Sequence, residues 1–162
     1  IGNPEGDVTI VEFFDYNCGF CKRAMEDMDA VIAADPNVRF VLKEFPILGP
    51  DSQAAHVVSK AFNSLHPERY GDFHRELMSV DGRADEAAAI RVALNHGADE
   101  DELRQAMQDP ALGDAFERTY TLANRLSITG TPSYVIGEDV VFGAQGASVL
   151  FDRVEEARSA TQ

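Results

Sequence analysis

Two β-branched, apolar segments flank a helical one near the amino terminus, and this order limits the fold more than any other feature. Residues 8–14 (VTIVEFF) predict a buried strand, and residues 38–42 (VRFVL) predict a second strand. Between them, residues 18–34 carry an apolar stripe at helical spacing that ends at Asp35-Pro36. A strand, a helix and a strand in so few residues form a βαβ unit, whose strands are parallel and whose crossover is right-handed.

Helical segments fill the middle of the chain. Four of them are predicted between residues 51 and 110, where no segment has a convincing strand pattern. We therefore expect one unit made of residues 1–50 and 111–162, with residues 51–110 inserted into it as a helical subdomain. A chain of 162 residues is long enough to bury about 70% of its unfolded surface in such a fold.

Strands return in the last third of the chain. A long helical stripe over residues 111–126 leads to the breaker Thr129-Gly130-Thr131-Pro132. Two short strands follow in a hairpin pattern, at residues 133–136 and 140–142, and Ser148 is predicted to cap the final helix. The whole order predicts an α/β fold with a mixed central sheet and helices on its faces.

The composition is that of an ordinary globular protein with an acidic surface. Apolar residues make up 44% of the chain, and its formal net charge is -14. Nucleic-acid binders need clustered cations, so we expect no nucleic acid as a partner. No apolar run approaches the roughly 20 residues that cross a bilayer, so we expect no membrane insertion. No signal sequence stands at the abrupt start at Ile1, and the compartment has to be inferred from the chemistry.

The only two cysteines lie three positions apart, where the first strand gives way to the first helix. The sequence Cys18-Gly19-Phe20-Cys21 has the spacing and position of a dithiol redox motif. As a structural disulfide, so short a loop would stabilise the fold by only about 1.9 kcal/mol, against about 3 for a fifteen-residue loop. A zinc site would need two more ligands, and none of the four histidines pairs with another at ligand spacing. Redox chemistry is therefore favoured, and we expect no metal and no cofactor.

The position of Cys18 at a helix start indicates how it acts. Disulfide exchange needs a thiolate, and a thiol with a pKa of about 8.5 is only a few per cent ionised at neutral pH. The helix dipole lowers the pKa of Cys18 but contributes only about 0.3 to 1 kcal/mol, so we expect the amide and thiol of Cys21 to help as donors. Cys18 is the predicted nucleophile, and Cys21 is the predicted resolving thiol.

The residues around the motif resemble a known family. Residues 12–23 (EFFDYNCGFCKR) resemble the active-site segment of DsbA-like bacterial thiol-disulfide oxidoreductases, and residues 129–132 (TGTP) resemble their cis-proline loop. The order and separation of the two motifs fit the family as well, with the helical insertion between them. The resemblance implies a thioredoxin fold and an enzyme that exchanges disulfides with protein substrates.

The resemblance also implies a substrate-binding loop. Pro132 is expected to be cis and to lie beside Cys18, and the backbone of Thr131 is expected to pair with a substrate peptide as an added strand. The alternative is that Thr131-Pro132 is only a breaker between a helix and a strand.

Glu12, six positions before Cys18, matches the place where members of the family keep a buried acid. A carboxylate inside an apolar strand is costly unless it is paired. Three interpretations remain open: a proton relay to Cys21, an ion pair with Lys43 on the neighbouring strand, and an acid exposed at the sheet edge.

The direction of electron flow is not fixed by the resemblance. Gly19-Phe20 lacks the Pro-His of the strongest oxidants, and a Thr before the proline resembles the isomerase and reductase branch. The partners implied are protein thiols and disulfides and a redox partner, expected in the membrane, that re-oxidises or reduces the dithiol. Two cysteines confined to one motif suit the periplasm, although a cytoplasmic reductant would look similar. An alternative function is a periplasmic holdase chaperone that grips unfolded chains at Phe20, with redox activity secondary.

Overall fold

The computed structural model describes residues 1–162 as four strands and seven α-helices. In chain order they are β1 (Val8–Phe14), α1 (Gly19–Ala34), β2 (Val38–Glu44), α2 (Pro50–Leu65), α3 (Tyr70–Met78), α4 (Glu86–Asn95), α5 (Glu100–Ala106), α6 (Pro110–Arg125), β3 (Ser133–Ile136), β4 (Asp139–Phe142) and α7 (Ala147–Ala160). None of the seven helices has the length and apolar character needed to span a bilayer.

The four strands form one mixed sheet in the order β2-β1-β3-β4. β1 and β2 are parallel, and β3 runs antiparallel to both of its neighbours. The predicted α/β class with a mixed central sheet is confirmed. β2 continues through Lys43 and Glu44, two residues beyond its predicted end, and β4 begins one residue earlier than predicted because Asp139 pairs with Ile136.

Helices cover both faces of the sheet. α1 and α7 lie on one face, where Ile10, Tyr134 and Val154 share a buried cluster, and α6 lies on the other face beside Phe13. The largest cluster has 17 buried residues and joins the end of β1 and both cysteines to helices α2–α5. The helices between β2 and α6 therefore pack directly against the segment that carries the cysteines.

The final helix starts differently from the prediction. α7 has Gly146 at its N-cap position, and no side chain caps it. The prediction that Ser148 caps this helix is wrong, because Ser148 lies inside the first turn. The chain enters α7 with a φ of 97° at the cap position, which glycine adopts without the steric cost of a side chain.

Candidate active site

Cys18 occupies the N-cap position of α1, four residues after Phe14, where β1 ends. Its Sγ accepts a hydrogen bond from the amide of Cys21 at 3.4 Å, which caps the helix. The Cys18 thiol also donates to the carbonyl oxygen of Thr131 at 3.4 Å. Both cysteines are free thiols and both are buried, Cys21 completely. The structure thus brings three of the predicted site residues together at the start of α1.

The surroundings of Cys18 favour its thiolate form. The pKa of Cys18 is lowered to about 6, and the largest cause is the side-chain hydrogen bond from Cys21. The Thr131 side chain and the amides of Cys21 and Phe20 lower it further, while burial opposes them. Burial, followed by the hydrogen bond to Cys18, raises the pKa of Cys21 well above its ordinary range. The pKa of Cys18 is therefore low, as expected of a nucleophile, and the pKa of Cys21 is high, as expected of a resolving thiol.

Alkylation of the reduced protein is expected to report an apparent pKa of about 6 for Cys18. Because the Thr131 side chain stabilises the thiolate, Thr131→Val should raise this pKa, whereas Thr129→Val at an exposed neighbouring position should leave it unchanged. The iodoacetamide reaction rate, followed from acidic to alkaline pH, measures both values. A wild-type pKa near about 8.5, that of an ordinary cysteine, would contradict the stabilised thiolate.

The peptide bond between Thr131 and Pro132 is cis, in agreement with the resemblance. Pro132 is buried, and its carbonyl accepts a hydrogen bond from the amide of Gly143 at 2.8 Å. No hydrogen bond within the chain uses the N–H of Thr131. The Thr131 carbonyl therefore lies next to Cys18, and the Thr131 N–H has no partner within the chain.

Gly19 and Phe20, the two residues between the cysteines, lie at the surface. A side chain at Gly19 would meet open space. Phe20 is 57% exposed, and the guanidinium of Arg23 lies 4.5 Å from the centre of its ring. Neither residue is held by core packing, and together Phe20 and Arg23 form an apolar, cationic surface next to the nucleophile.

Glu12 is buried on a central strand, with only 4% of its surface exposed. The exposed-edge interpretation is therefore wrong. The ion-pair interpretation is wrong as well, because Lys43 lies opposite Phe13 and its side chain belongs to the other face of the sheet. Burial is the largest cause that raises the pKa of Glu12 to about 8, and no hydrogen bond contributes to it.

Two residues that the sequence analysis left without a role flank the nucleophile. The buried carboxylate of Asp15 accepts four hydrogen bonds, from the amides of Asn17 (2.8 Å), Ile47 (2.8 Å) and Leu48 (3.0 Å) and the hydroxyl of Ser52 (2.8 Å). The side chain of Asn17 binds both polar backbone groups of Ala84. Only their position in the sequence could have indicated that Asp15 and Asn17 belong to the site, because both lie on the short loop just before Cys18.

A second buried polar cluster lies under the same loop. Glu44, at the end of β2, accepts hydrogen bonds from His56, Ser59 and Tyr70. The Nε2 atom of His56 accepts a hydrogen bond from the amide of Tyr16 at 3.1 Å, so the ring proton lies on Nδ1, towards Glu44. The sequence analysis considered the histidines only as metal ligands and missed this role.

A dithiol at the start of a helix that packs on this mixed sheet makes the chain a thioredoxin-fold dithiol protein. The family model of the DSBA-like thioredoxin domain matches residues 9–155, and the chain belongs to this family. The resemblance to DsbA-like thiol-disulfide oxidoreductases is thereby confirmed.

Solved structures are similar over almost the whole chain. A thioredoxin-like oxidoreductase from Silicibacter pomeroyi DSS-3 is 42% identical, with a TM-score of 0.92, and the match covers 98% of this chain and 91% of that one. The thiol-disulfide exchange protein alpha-DsbA2 from Wolbachia pipientis is 31% identical, with a TM-score of 0.87 and coverage of 96% and 84%. Both likenesses support the thioredoxin fold and general oxidoreductase activity.

Curated relatives are more distant. Disulfide bond formation protein D from Bacillus subtilis is 22% identical over 151 residues, which cover 87% of this chain and 68% of that protein. Two Na⁺/H⁺ antiporters, from Salinispora tropica and Salinispora arenicola, are 22% and 23% identical, and this chain spans 21% and 25% of their length.

Proposed function

We propose that this chain exchanges disulfides with protein substrates through Cys18 as nucleophile and Cys21 as resolving thiol. The observation that carries the proposal is the opposite shift of the two thiol pKa values, to about 6 for Cys18 and upward for Cys21. At neutral pH most of Cys18 is then a thiolate, the species that attacks a disulfide, while Cys21 keeps its proton.

The proposed reaction has two exchange steps. In the reducing direction, the Cys18 thiolate attacks one sulfur of a substrate disulfide, forms a mixed disulfide and releases the other substrate sulfur as a thiolate. Cys21 then loses its proton and attacks Cys18 Sγ, which closes the Cys18–Cys21 disulfide and releases the second substrate thiolate. Two electrons pass to the substrate, and oxidation follows the same steps in reverse.

Thr131 and Pro132 are the proposed docking segment for the substrate backbone. The Thr131 carbonyl lies within 3.4 Å of Cys18 Sγ, and the N–H of Thr131 is not used within the chain. An extended peptide that pairs with this N–H as an added strand brings its own cysteine towards Cys18.

Glu12 is proposed as the group that takes the proton from Cys21. Its pKa is raised to about 8 by burial first, and then by the charges of Asp27 and Cys18. A carboxyl that titrates this close to neutrality both holds and releases a proton in the working range of the protein.

The organisation and location of the chain are part of the proposal. Residues 51–110 form an inserted helical subdomain of a thioredoxin-like unit built from residues 1–50 and 111–162, supported by the contacts of α2 with α4 and α5. A periplasmic location and a membrane-bound redox partner are supported by family membership and by the confinement of both cysteines to one motif. Cell fractionation of the source organism tests the location.

We expect the Cys18–Cys21 couple to have a reduction potential of about -240 to -195 mV. Stabilising the Cys18 thiolate favours the reduced form and raises the potential by about 30 mV for each unit of pKa. Thioredoxin has a thiol pKa of about 7 and a potential of about -270 mV, and DsbA has a pKa of about 3.5 and a potential of about -120 mV. The Cys18 pKa of about 6 lies between these two pKa values. Equilibration with glutathione redox buffers measures the potential, and a value below that of thioredoxin would contradict the expectation.

Activity assays separate exchange from the holdase alternative, which the exposed Phe20 ring favours. Catalysed reduction of insulin and refolding of a scrambled disulfide substrate, in the wild type and in Cys18→Ser, test exchange and its direction. Suppression of aggregation that survives Cys18→Ser would favour the holdase.

A further inference from the structure

A cavity of about 270 Å³ lies where the edge strand β2 meets helices α2 and α6. Each of these elements contributes one cation to its lining: Lys43 from β2, Lys60 from α2 and Arg118 from α6. Its apolar lining consists of Leu42, Ala115 and Leu122. None of the residues proposed for disulfide exchange lines this cavity, so it is a separate feature of the molecule.

The three cations have no anionic partner within the chain. Neither Lys43 nor Lys60 nor Arg118 has a carboxylate within 4.0 Å, although the chain contains 28 acidic residues and only 14 lysines and arginines. The ammonium of Lys60 lies 5.8 Å from the centre of the Phe116 ring, a contact that leaves its three N–H donors free. Like charges placed together repel each other, and a bound anion relieves this repulsion.

Glu44 is the one carboxylate among the residues that line the cavity, and its oxygens have other partners. They accept hydrogen bonds from His56, Ser59 and Tyr70. Only 4% of Glu44 is exposed. The carboxylate of Glu44 is therefore bound inside the protein and forms no salt bridge with the three cations.

The open edge of β2 adds backbone groups to the cavity wall. Alternate residues of β2 pair with β1, and the residues between them direct their N–H and C=O groups to the outer edge of the sheet. At Phe40 this edge is closed by Ile1, whose carbonyl accepts the Phe40 N–H at 2.8 Å and whose amino group donates to the Phe40 carbonyl at 2.9 Å. Leu42 is the next residue on this edge and has no such partner. Its N–H group is therefore an unpaired donor at the cavity wall.

We propose that this cavity binds a small organic anion with two or three acidic groups. Three cations balance as many negative charges, and the guanidinium of Arg118 can bind a carboxylate or a phosphate through two parallel N–H donors. The N–H of Leu42 supplies a further donor, and the apolar lining contacts a short carbon skeleton. Drug-sized ligands occupy cavities of about 300 to 1,000 Å³, so a cavity of about 270 Å³ suits a smaller molecule.

Isothermal titration calorimetry with two probes tests the site. Citrate carries three carboxylates, 3-phosphoglycerate carries a phosphate and a carboxylate, and acetate is the control with a single charge. At an ionic strength of about 0.15 M, we expect one or both polyanions to bind saturably and at least about tenfold more tightly than acetate. The tighter of the two identifies the preferred acidic group. Absence of saturable binding of either polyanion up to about 10 mM overturns the proposal.

Single charge-removing variants test the location of the site. Lys60→Gln and Arg118→Gln should each weaken binding of the polyanion about tenfold, because each removes one of the three cations. Arg125→Gln is the matched control: it lies on α6, has no salt bridge and does not line the cavity, so binding should stay within about twofold of wild type. Equal weakening in all three variants would mean that the acidic probes respond to net charge alone and would overturn the site. Because binding is measured without reference to disulfide exchange, a chain that binds citrate but exchanges no disulfide overturns only the proposed function.

Discussion

Replacing Cys18 by serine is expected to lower the rate of disulfide exchange by at least about 10³-fold, in the range seen when an enzyme loses its nucleophile. A serine hydroxyl cannot form the mixed disulfide, and it does not supply a thiolate with a pKa of about 6. The fold should persist, because the substitution changes one atom at a helix cap position where serine is itself a preferred residue.

Cys21→Ser should stop the reaction halfway. Cys18 can still attack a substrate disulfide, but no second thiol is present to displace the substrate, so the mixed disulfide accumulates. Non-reducing electrophoresis should show a covalent complex that dithiothreitol removes. The variant that lacks both cysteines is the control and should form none. A covalent complex in Cys18→Ser, formed through the completely buried Cys21, would reverse the roles of the two thiols.

Local sequence patterns predict the elements closest to the cysteines. β1 has its predicted bounds and α1 differs by one residue, because a β-branched run and an apolar stripe each encode one element directly. The end of β2 could not be found in this way. The apolar run of β2 stops at Leu42, yet Glu44 is buried by partners that lie 12 to 26 positions further along the chain.

The contacts of the candidate site also divide into those that local spacing predicts and those made with distant parts of the chain. The contact between Cys18 and Cys21 lies within one helical turn, so spacing alone predicts it, whereas Thr131 was found only through the family resemblance. Asp15 binds amides 32 and 33 positions away, and Asn17 binds a residue 67 positions away. These partners lie in the loops before α2 and between α3 and α4, which fold back to the end of β1, and no fixed spacing encodes them.

Glu12→Gln is expected to stabilise the protein at alkaline pH. The folded-state pKa of Glu12, about 8, lies above its ordinary value of 4.5 because of burial. Folding therefore favours the protonated carboxyl. Its contribution to the free energy of unfolding is fully present below about pH 4.5 and is lost as the pH rises through about 8. Relative to wild type, Glu12→Gln should gain roughly 3 to 5 kcal/mol of unfolding free energy between these limits. Urea unfolding across this range measures the gain, and Glu26→Gln, at an exposed position on α1, should show none.

The same substitution should slow the resolving step. The pKa of Cys21 is raised by burial, so its attack on the mixed disulfide needs a nearby base. In the wild type the rate of this step should rise with pH and level off above about 8, as Glu12 loses its proton. Glu12→Gln should lower the rate by about 10² and remove that rise, while the Cys18 alkylation rate still reports a stabilised thiolate. If Glu12→Gln gains stability but resolves mixed disulfides with the wild-type pH profile, Glu12 is a buried acid without a relay role.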